Sequence, residues 1–307
     1  MYKVLAFYDI SSVENPQQKV AEWHQYFKDK DVRGRIYIAH EGINAQMSCH
    51  ESVDCLDWMK EQFPGADVKI HQYDEHPFAR LAIKERKQLV ALDRPVDFSK
   101  QAQHATPEEW KSMLDEGDAE TLVLDVRNDY EWDVGHFSGA EKPRMDTFRE
   151  FDALAEKLSQ IKDKNTRILM YCTGGIRCEF FSPLLKERGF DNLFQLKGGV
   201  IGYGLHEGNK HWEGNLFVFD DRMVIPLSEE KQPSIAKCRL CSIPADTYYN
   251  CACMDCNELF TSCPSCADEL KGCCSKECVD APRRRPFDVM DRVRPYRKLT
   301  QREKEIL

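Results

Sequence analysis

The chain has 307 residues, and 43 basic against 52 acidic side chains leave a net charge of −9. That length accommodates two or three domains, and the acidic balance, taken alone, argues against nucleic-acid binding. No run approaches the roughly 18 apolar residues of a membrane span, and the first residues lack the charged start and long apolar core of a signal peptide. The expected location is therefore the cytoplasm, with no membrane partner.

Residues 3–9 read as a strand. Asn15 followed by Pro16 is a helix start, a cap and then a first-turn proline, and that helix carries Val20, Trp23 and Phe27 on one face. Residues 33–39 alternate as a strand does, Gly42 allows a turn, and residues 43–48 continue as its partner. Residues 51–63 are expected to be helical, with Val53, Leu56 and Met59 on one side, ended by Pro64 and Gly65. Residues 68–73 and 81–92 look extended. The order strand, helix, strand, strand, helix, strand is the split βαβ pattern, so residues 1–95 are expected to form a ferredoxin-like (acylphosphatase-like) α+β domain. That fold alone assigns no role.

Residues 93–104 are expected to link this domain to the next. Thr106 and Pro107 with Glu108 and Glu109 start a helix. Strands at 122–125, 168–171 and 193–195 alternate with helices at 146–162 and 182–188, which implies a parallel α/β sheet over residues 96–220. Ligands of such sheets lie at the carboxyl ends of the strands.

One of those ends is the stretch RILMYCTGGIRC, residues 167–178. A buried-looking strand stops at Cys172 and is followed by Thr173, Gly174, Gly175 and Ile176, then by Arg177 and a helical pattern. Backbone N–H groups and a helix N-terminus at such a turn stabilise a thiolate, the reactive form of the side chain. The glycines let the loop curl around an anion, and Arg177 adds a fixed positive charge. The expected chemistry is that of a nucleophilic sulfur, with Cys172 and Arg177 as its catalytic residues and residues 173–176 as the cradle. A plain buried cysteine before a glycine turn is the alternative. Protein tyrosine phosphatases also use a cysteine–arginine loop, but with five residues between the two; four lie between Cys172 and Arg177, a tighter cradle that suits sulfur better than phosphate.

Upstream, residues 121–140 carry Asp125, Arg127, Glu131, Gly135, His136, Gly139 and Ala140, and downstream lies LKGGVIGYG, residues 196–204. In this order the three motifs resemble the rhodanese family. The resemblance implies that Cys172 is the cysteine that forms a persulfide and that residues 173–177 hold the bound sulfur. Cys178 departs from the family, which usually has Ser or Ala there, and it introduces a second thiol that could pair with or resolve the first.

Ten of the fourteen cysteines fall within residues 238–278, mostly as CxxC pairs. In a cytoplasmic chain this reads as metal binding. Two residues between cysteines let both thiolates reach one tetrahedral zinc, and eight ligands serve two ions. An interleaved assignment puts Cys238, Cys241, Cys263 and Cys266 at one structural zinc and Cys251, Cys256, Cys274 and Cys278 at the other, with Cys253 competing with Cys251 and Cys273 with Cys274. Residues 221–307 are thus expected to be a cysteine-rich zinc module ending in a basic tail. From residue 281 on, nine Lys or Arg face four Asp or Glu. Arg283, Arg284, Arg285, Arg294, Arg297 and Lys298 are the candidate RNA contacts; a solvated, charged C-terminal helix is the alternative.

All three parts together, with HEGIN (residues 40–44), YCTGGIRCE and the run of C-terminal cysteines, resemble the bacterial tRNA uridine hydroxylase family. The resemblance implies an oxidoreductase of tRNA processing that installs 5-hydroxyuridine at the wobble position with O2 as co-substrate and tRNA as partner. The sequence shows no flavin or haem signature. If the central domain alone governs, the chain is instead a sulfurtransferase that passes sulfur from a thiosulfate or persulfide donor through Cys172.

Overall fold

The computed structural model describes residues 1–287. The chain forms two compact units, one made of Met1–Asp129 and Gly139–His211, the other of Tyr130–Ser138 and the chain from Trp212 on.

The first unit begins with β1 (Tyr2–Asp9), α1 (Pro16–Tyr26), β2 (Val32–Ala39), β3 (Gly42–His50), α2 (Cys55–Gln62), β4 (Lys69–Tyr73) and β5 (Leu81–Glu85). Asn15 caps α1 by accepting the Gln18 N–H at 3.0 Å, and Asp54 does the same for α2 through Asp57. The strands order as β4-β1-β3-β2-β5. β1 runs antiparallel to β3 and β4, while β5 joins β2 in parallel. Trp23 of α1 and Trp58 of α2 meet edge to face at 5.1 Å and close over Leu5, Phe7, Ile36, Ile38 and Met47 of the sheet.

Extension stops at Glu85 rather than at residue 92. The reason is local: the Leu89 N–H is taken by the Glu41 carboxylate at 2.7 Å, and Leu89 and Leu92 turn into the core of the following α/β layer.

That layer contains β6 (Gln103–Ala105), α3 (Pro107–Asp115) and β7 (Leu122–Asp125), then, after α4 (Asp129–Val134) and β8 (Gly135–Phe137), whose residues from Tyr130 on belong to the second unit, α5 (Phe151–Ile161), β9 (Ile168–Tyr171), α6 (Ile176–Glu187), β10 (Leu193–Leu196) and α7 (Gly199–Glu207). Its sheet is wholly parallel, β6-β10-β9-β7. The expected linker therefore ends inside the sheet. Gln103 and His104 are exposed and polar on the edge strand, and only backbone pairing with β10 reveals them as strand. Helix α6 begins at Ile176, where the helical pattern after the cysteine loop puts it rather than at residue 182, and its residues from Arg177 to Leu185 are buried all round. A helix without a wet face carries no 3.6-residue apolar period.

In the second unit β8 pairs antiparallel with β11 (Trp212–Gly214), β12 (Leu216–Phe217) with β13 (Val224–Ile225), and β14 (Tyr248–Asn250) with β15 (Leu259–Thr261). Two short helices follow, α8 (Pro264–Glu269) and α9 (Lys276–Val279). Its cores are small, one around Val134, Phe217, Met223 and Tyr248, another in which cysteines outnumber the aromatics Tyr249 and Phe260. No described helix is long and apolar enough to cross a membrane.

Candidate active site and cysteine clusters

Cys172 follows the last residue of β9 and α6 starts four residues later, so the intervening turn must reverse within Thr173–Gly175. Gly175 does this at φ 103° and points its N–H at the Cys172 sulfur, 3.1 Å away. Arg177 comes back across the turn to donate to the Thr173 hydroxyl at 3.1 Å and is itself buried.

A second turn braces the first. The N-terminus of α7 donates Val200 N–H to the Cys172 carbonyl at 2.9 Å and Ile201 N–H to that of Thr173 at 3.1 Å. Between them Gly199, at φ 62°, comes so close that a Cβ would stand 2.6 Å from the Cys172 oxygen. Beneath the loop, Asp125 and Arg127 form a wholly buried, two-pronged ion pair, and Val126 N–H binds the Tyr171 carbonyl at 2.8 Å. These contacts fix where β9 ends and so where the sulfur stands.

Burial, with Cys172 only 1% exposed, opposes a charged sulfur. The Cys178 thiol, the Arg177 guanidinium and the backbone N–H groups of Cys178 and Arg177 outweigh it, and the Cys172 pKa falls to about 6. Cys178 moves the other way. Burial and the neighbouring Cys172 push its pKa well above the ordinary thiol value. The pair is therefore one thiolate beside one thiol at neutral pH, a reactive anion with a proton donor against it.

The N-terminal domain supplies groups to the same place. Tyr8, at the end of β1, donates to Glu179 of α6 at 2.7 Å, and the absent Cβ of Gly175 would meet the Tyr8 hydroxyl at 3.0 Å. His104 of β6 reaches the same Glu179 oxygen through Nε2 at 2.8 Å, and the Gln195 amide approaches that same ring nitrogen at 2.6 Å. Burial raises the Glu179 pKa, but the bonds from His104 and Tyr8 overcome it and leave a carboxylate; the same bond to Glu179 lifts His104. Lys69, 4% exposed, is tied to the Asp67 carbonyl at 3.0 Å and carboxylate at 3.2 Å. Desolvation lowers its pKa, and the charges of Asp67, Cys172 and Glu179 resist that.

Tyr8, Lys69, His104, Glu179 and Gln195 were not singled out in the sequence. They come from strands and helices far apart in the chain, and only Glu179, inside YCTGGIRCE, lay in a motif.

The cysteine-rich segment brings its sulfurs into two quartets. Cys238, Cys241, Cys263 and Cys266 form one, Cys251, Cys256, Cys274 and Cys278 the other, all four sulfurs of each lying within 4.8 Å of one another. Cys241 and Cys263 are 3.7 Å apart, Cys256 and Cys274 3.6 Å, Cys274 and Cys278 3.8 Å. A tetrahedron of sulfurs with bonds of about 2.3 Å has edges of about 3.8 Å, so these spacings fit four ligands around one ion. The quartets are able to bind a metal, and a donor set of thiolates alone selects a soft or borderline ion. Cys253 and Cys273 stand outside both quartets; the Cys273 thiol donates to the Cys278 carbonyl at 3.3 Å.

Of the candidate RNA contacts, Arg283 binds Asp255 at 2.8 Å, and Arg285 binds the Cys251 carbonyl and Asn257, each at 2.7 Å. Arg284 sits in a backbone bridge with Cys253. The structure thus engages Arg283 and Arg285 within the module itself. Arg294, Arg297 and Lys298 lie outside the described residues.

Three family models match the chain in succession, described as UPF0176 acylphosphatase like domain over residues 2–89, Rhodanese-like domain over 106–205 and Rhodanase C-terminal over 213–279. A protein of Protochlamydia amoebophila named tRNA uridine(34) hydroxylase is 48% identical over 300 residues, 96% of this chain and 93% of its own. One of the same name from Chlamydia muridarum is 49% identical over 304 residues, 97% and 92% of the two chains. Among solved structures, a rhodanese-like domain from an Anabaena protein is 26% identical and covers 37% of this chain and 80% of that one, with a TM-score of 0.31.

Proposed function

This chain belongs to the tRNA uridine(34) hydroxylase family, and we propose that it converts the wobble uridine of tRNA to 5-hydroxyuridine with O2 as co-substrate. The observation that carries the reading is identity near one half sustained across almost the whole chain, with an intact Cys172 loop inside it.

The loop suggests how a thiolate serves that reaction. Cys172 adds to C6 of the uracil, which turns C5 into a nucleophilic carbon able to take up oxygen; covalent catalysis of this kind divides one difficult step into easier ones. Arg177 and the Gly175 N–H hold the thiolate ready, and Cys178 stands by with a proton. Each cysteine quartet holds a zinc ion, which adds to the small apolar cores of the second unit. The basic tail neutralises tRNA phosphates, and the protein works in the cytoplasm beside its tRNA substrates.

Sulfur transfer is the second reading, favoured by the match of residues 106–205 to a rhodanese-like domain and by the N–H aimed at the sulfur. Incubation of purified protein with tRNA under 18O2 separates the two. A 5-hydroxyuridine two mass units heavier is expected. Oxygen drawn only from water, or thiolated tRNA without hydroxylation, would overturn the proposal.

A further inference from the structure

Inserting one atom of O2 into a C–H bond leaves the second atom to be reduced to water, which needs two electrons from elsewhere. A pair of thiols that becomes a disulfide delivers two. Three observations place such a pair at the reacting atom. Cys178 is the third residue of α6, so the loop that starts at Cys172 returns its side chain to the thiolate. Gly175 ties both into one turn, its N–H bonding the Cys172 sulfur at 3.1 Å and its carbonyl accepting the Cys178 N–H at 3.0 Å. Both are buried side by side in the turn, at 0% and 1% exposure.

We propose that Cys172 and Cys178 together are the two-electron donor of the hydroxylation and finish each cycle as a disulfide. The proposal rests on the hydroxylase reading above and deepens it.

The Cys172 thiolate forms a bond to C6, and the C5 carbanion takes up O2 and a proton to give a 5-hydroperoxide. The Cys178 thiol reduces it: the O–O bond breaks, one oxygen remains on C5 as hydroxyl, and Cys178 becomes a sulfenic acid. Loss of the C5 proton and cleavage of the C6–S bond release 5-hydroxyuridine and the Cys172 thiolate. That thiolate attacks the Cys178 sulfur, forming S–S and expelling hydroxide. The sum is uridine, O2 and two thiols going to 5-hydroxyuridine, water and one disulfide. An external dithiol must then reset the pair before the next turnover.

The sequence offers a direct readout. Trypsin cuts after Arg167, Arg177 and Lys186, so Cys172 falls in peptide 168–177 and Cys178 in peptide 178–186. Full-length protein is reduced, freed of reductant without oxygen, mixed with tRNA, exposed to O2 and then blocked with an alkylating agent.

The expected result is about one 5-hydroxyuridine per chain and no more, matched by an equal amount of the two peptides joined by a disulfide, with added dithiol restoring repeated turnover. Cys178→Ser should then make less than a tenth of that product while its Cys172 peptide still alkylates. Product formed with both peptides still reduced would overturn the proposal and leave the hydroxylase reading standing. So would a disulfide that forms equally fast without tRNA. No 5-hydroxyuridine with or without dithiol, while the pair stays reduced and alkylatable, would contradict the hydroxylase reading itself. The wild-type peptide map decides the matter even if Cys178→Ser fails to fold.

Discussion

Among single residues, Cys172 is a thiolate held against its own burial. Desolvation raises the Cys172 pKa, and the Cys178 thiol and Arg177 bring it down to about 6. The sign is that of a depressed acid. The reactive anion is fully formed above neutral pH and is lost as pH falls through about 6, well below the ordinary thiol range. Alkylation of the Cys172 peptide should therefore be flat from pH 7 to 9 and fall by about half near pH 6. Arg177→Met should move the fall to higher pH and slow alkylation at pH 6 roughly tenfold; an unchanged profile would mean that the guanidinium is not what holds the charge. The contiguous part of this site was legible in the sequence because Cys172, the glycines and Arg177 occupy one short motif whose chemistry follows from residue type. Tyr8 and Lys69 were not, because a strand residue declares its burial only once its neighbours are known, and a lysine with 4% exposure contradicts the usual fate of that side chain.

Elements set the precision of the site. The turn after β9 and the N-terminus of α7 are joined by backbone bonds across Gly199, whose left-handed conformation and crowded Cβ position admit no side chain. Gly199→Ala should cost about 1–2 kcal/mol for the conformation alone, and the forced retreat from the Cys172 carbonyl adds to it. A lower melting temperature together with slower Cys172 alkylation is expected; a loss of stability with the cysteine as reactive as before would separate the brace from the cradle. The KGG motif was visible in the sequence, but its partner was not, since periodicity says nothing about which turn meets which. The same limit applies to β6 and, in part, to α6. An edge strand made of Gln103 and His104 lacks the alternation that sequence reading depends on, and a helix buried on all sides shows its start through the preceding loop but not through an apolar period.

For the molecule as a whole, the cysteine quartets interleave along the chain, so neither site can be completed without the segment that carries the other. Purified protein should contain two zinc ions per chain, and chelation should make the region from Cys238 to Cys278 susceptible to protease while the melting of the first unit persists; metal-free protein that resists protease equally would show that the zinc is dispensable. The charge asymmetry between the tail and the remainder has a second consequence. Affinity for tRNA should fall steeply with salt, and neutralising Arg294, Arg297 and Lys298 should flatten the slope of log K against log salt by up to about 2–3. A slope unchanged by the three substitutions would assign phosphate binding elsewhere. Hydroxylation of the wobble uridine by way of the Cys172 thiolate underlies all of these expectations. Mass analysis of nucleosides from total tRNA, in cells lacking the gene and in cells given it back, tests it most directly. The account predicts that 5-hydroxyuridine and its derivatives are lost without the gene and restored by the wild-type chain but not by Cys172→Ser. Full restoration by Cys172→Ser, or no change in oxidised uridine on losing the gene, would contradict it.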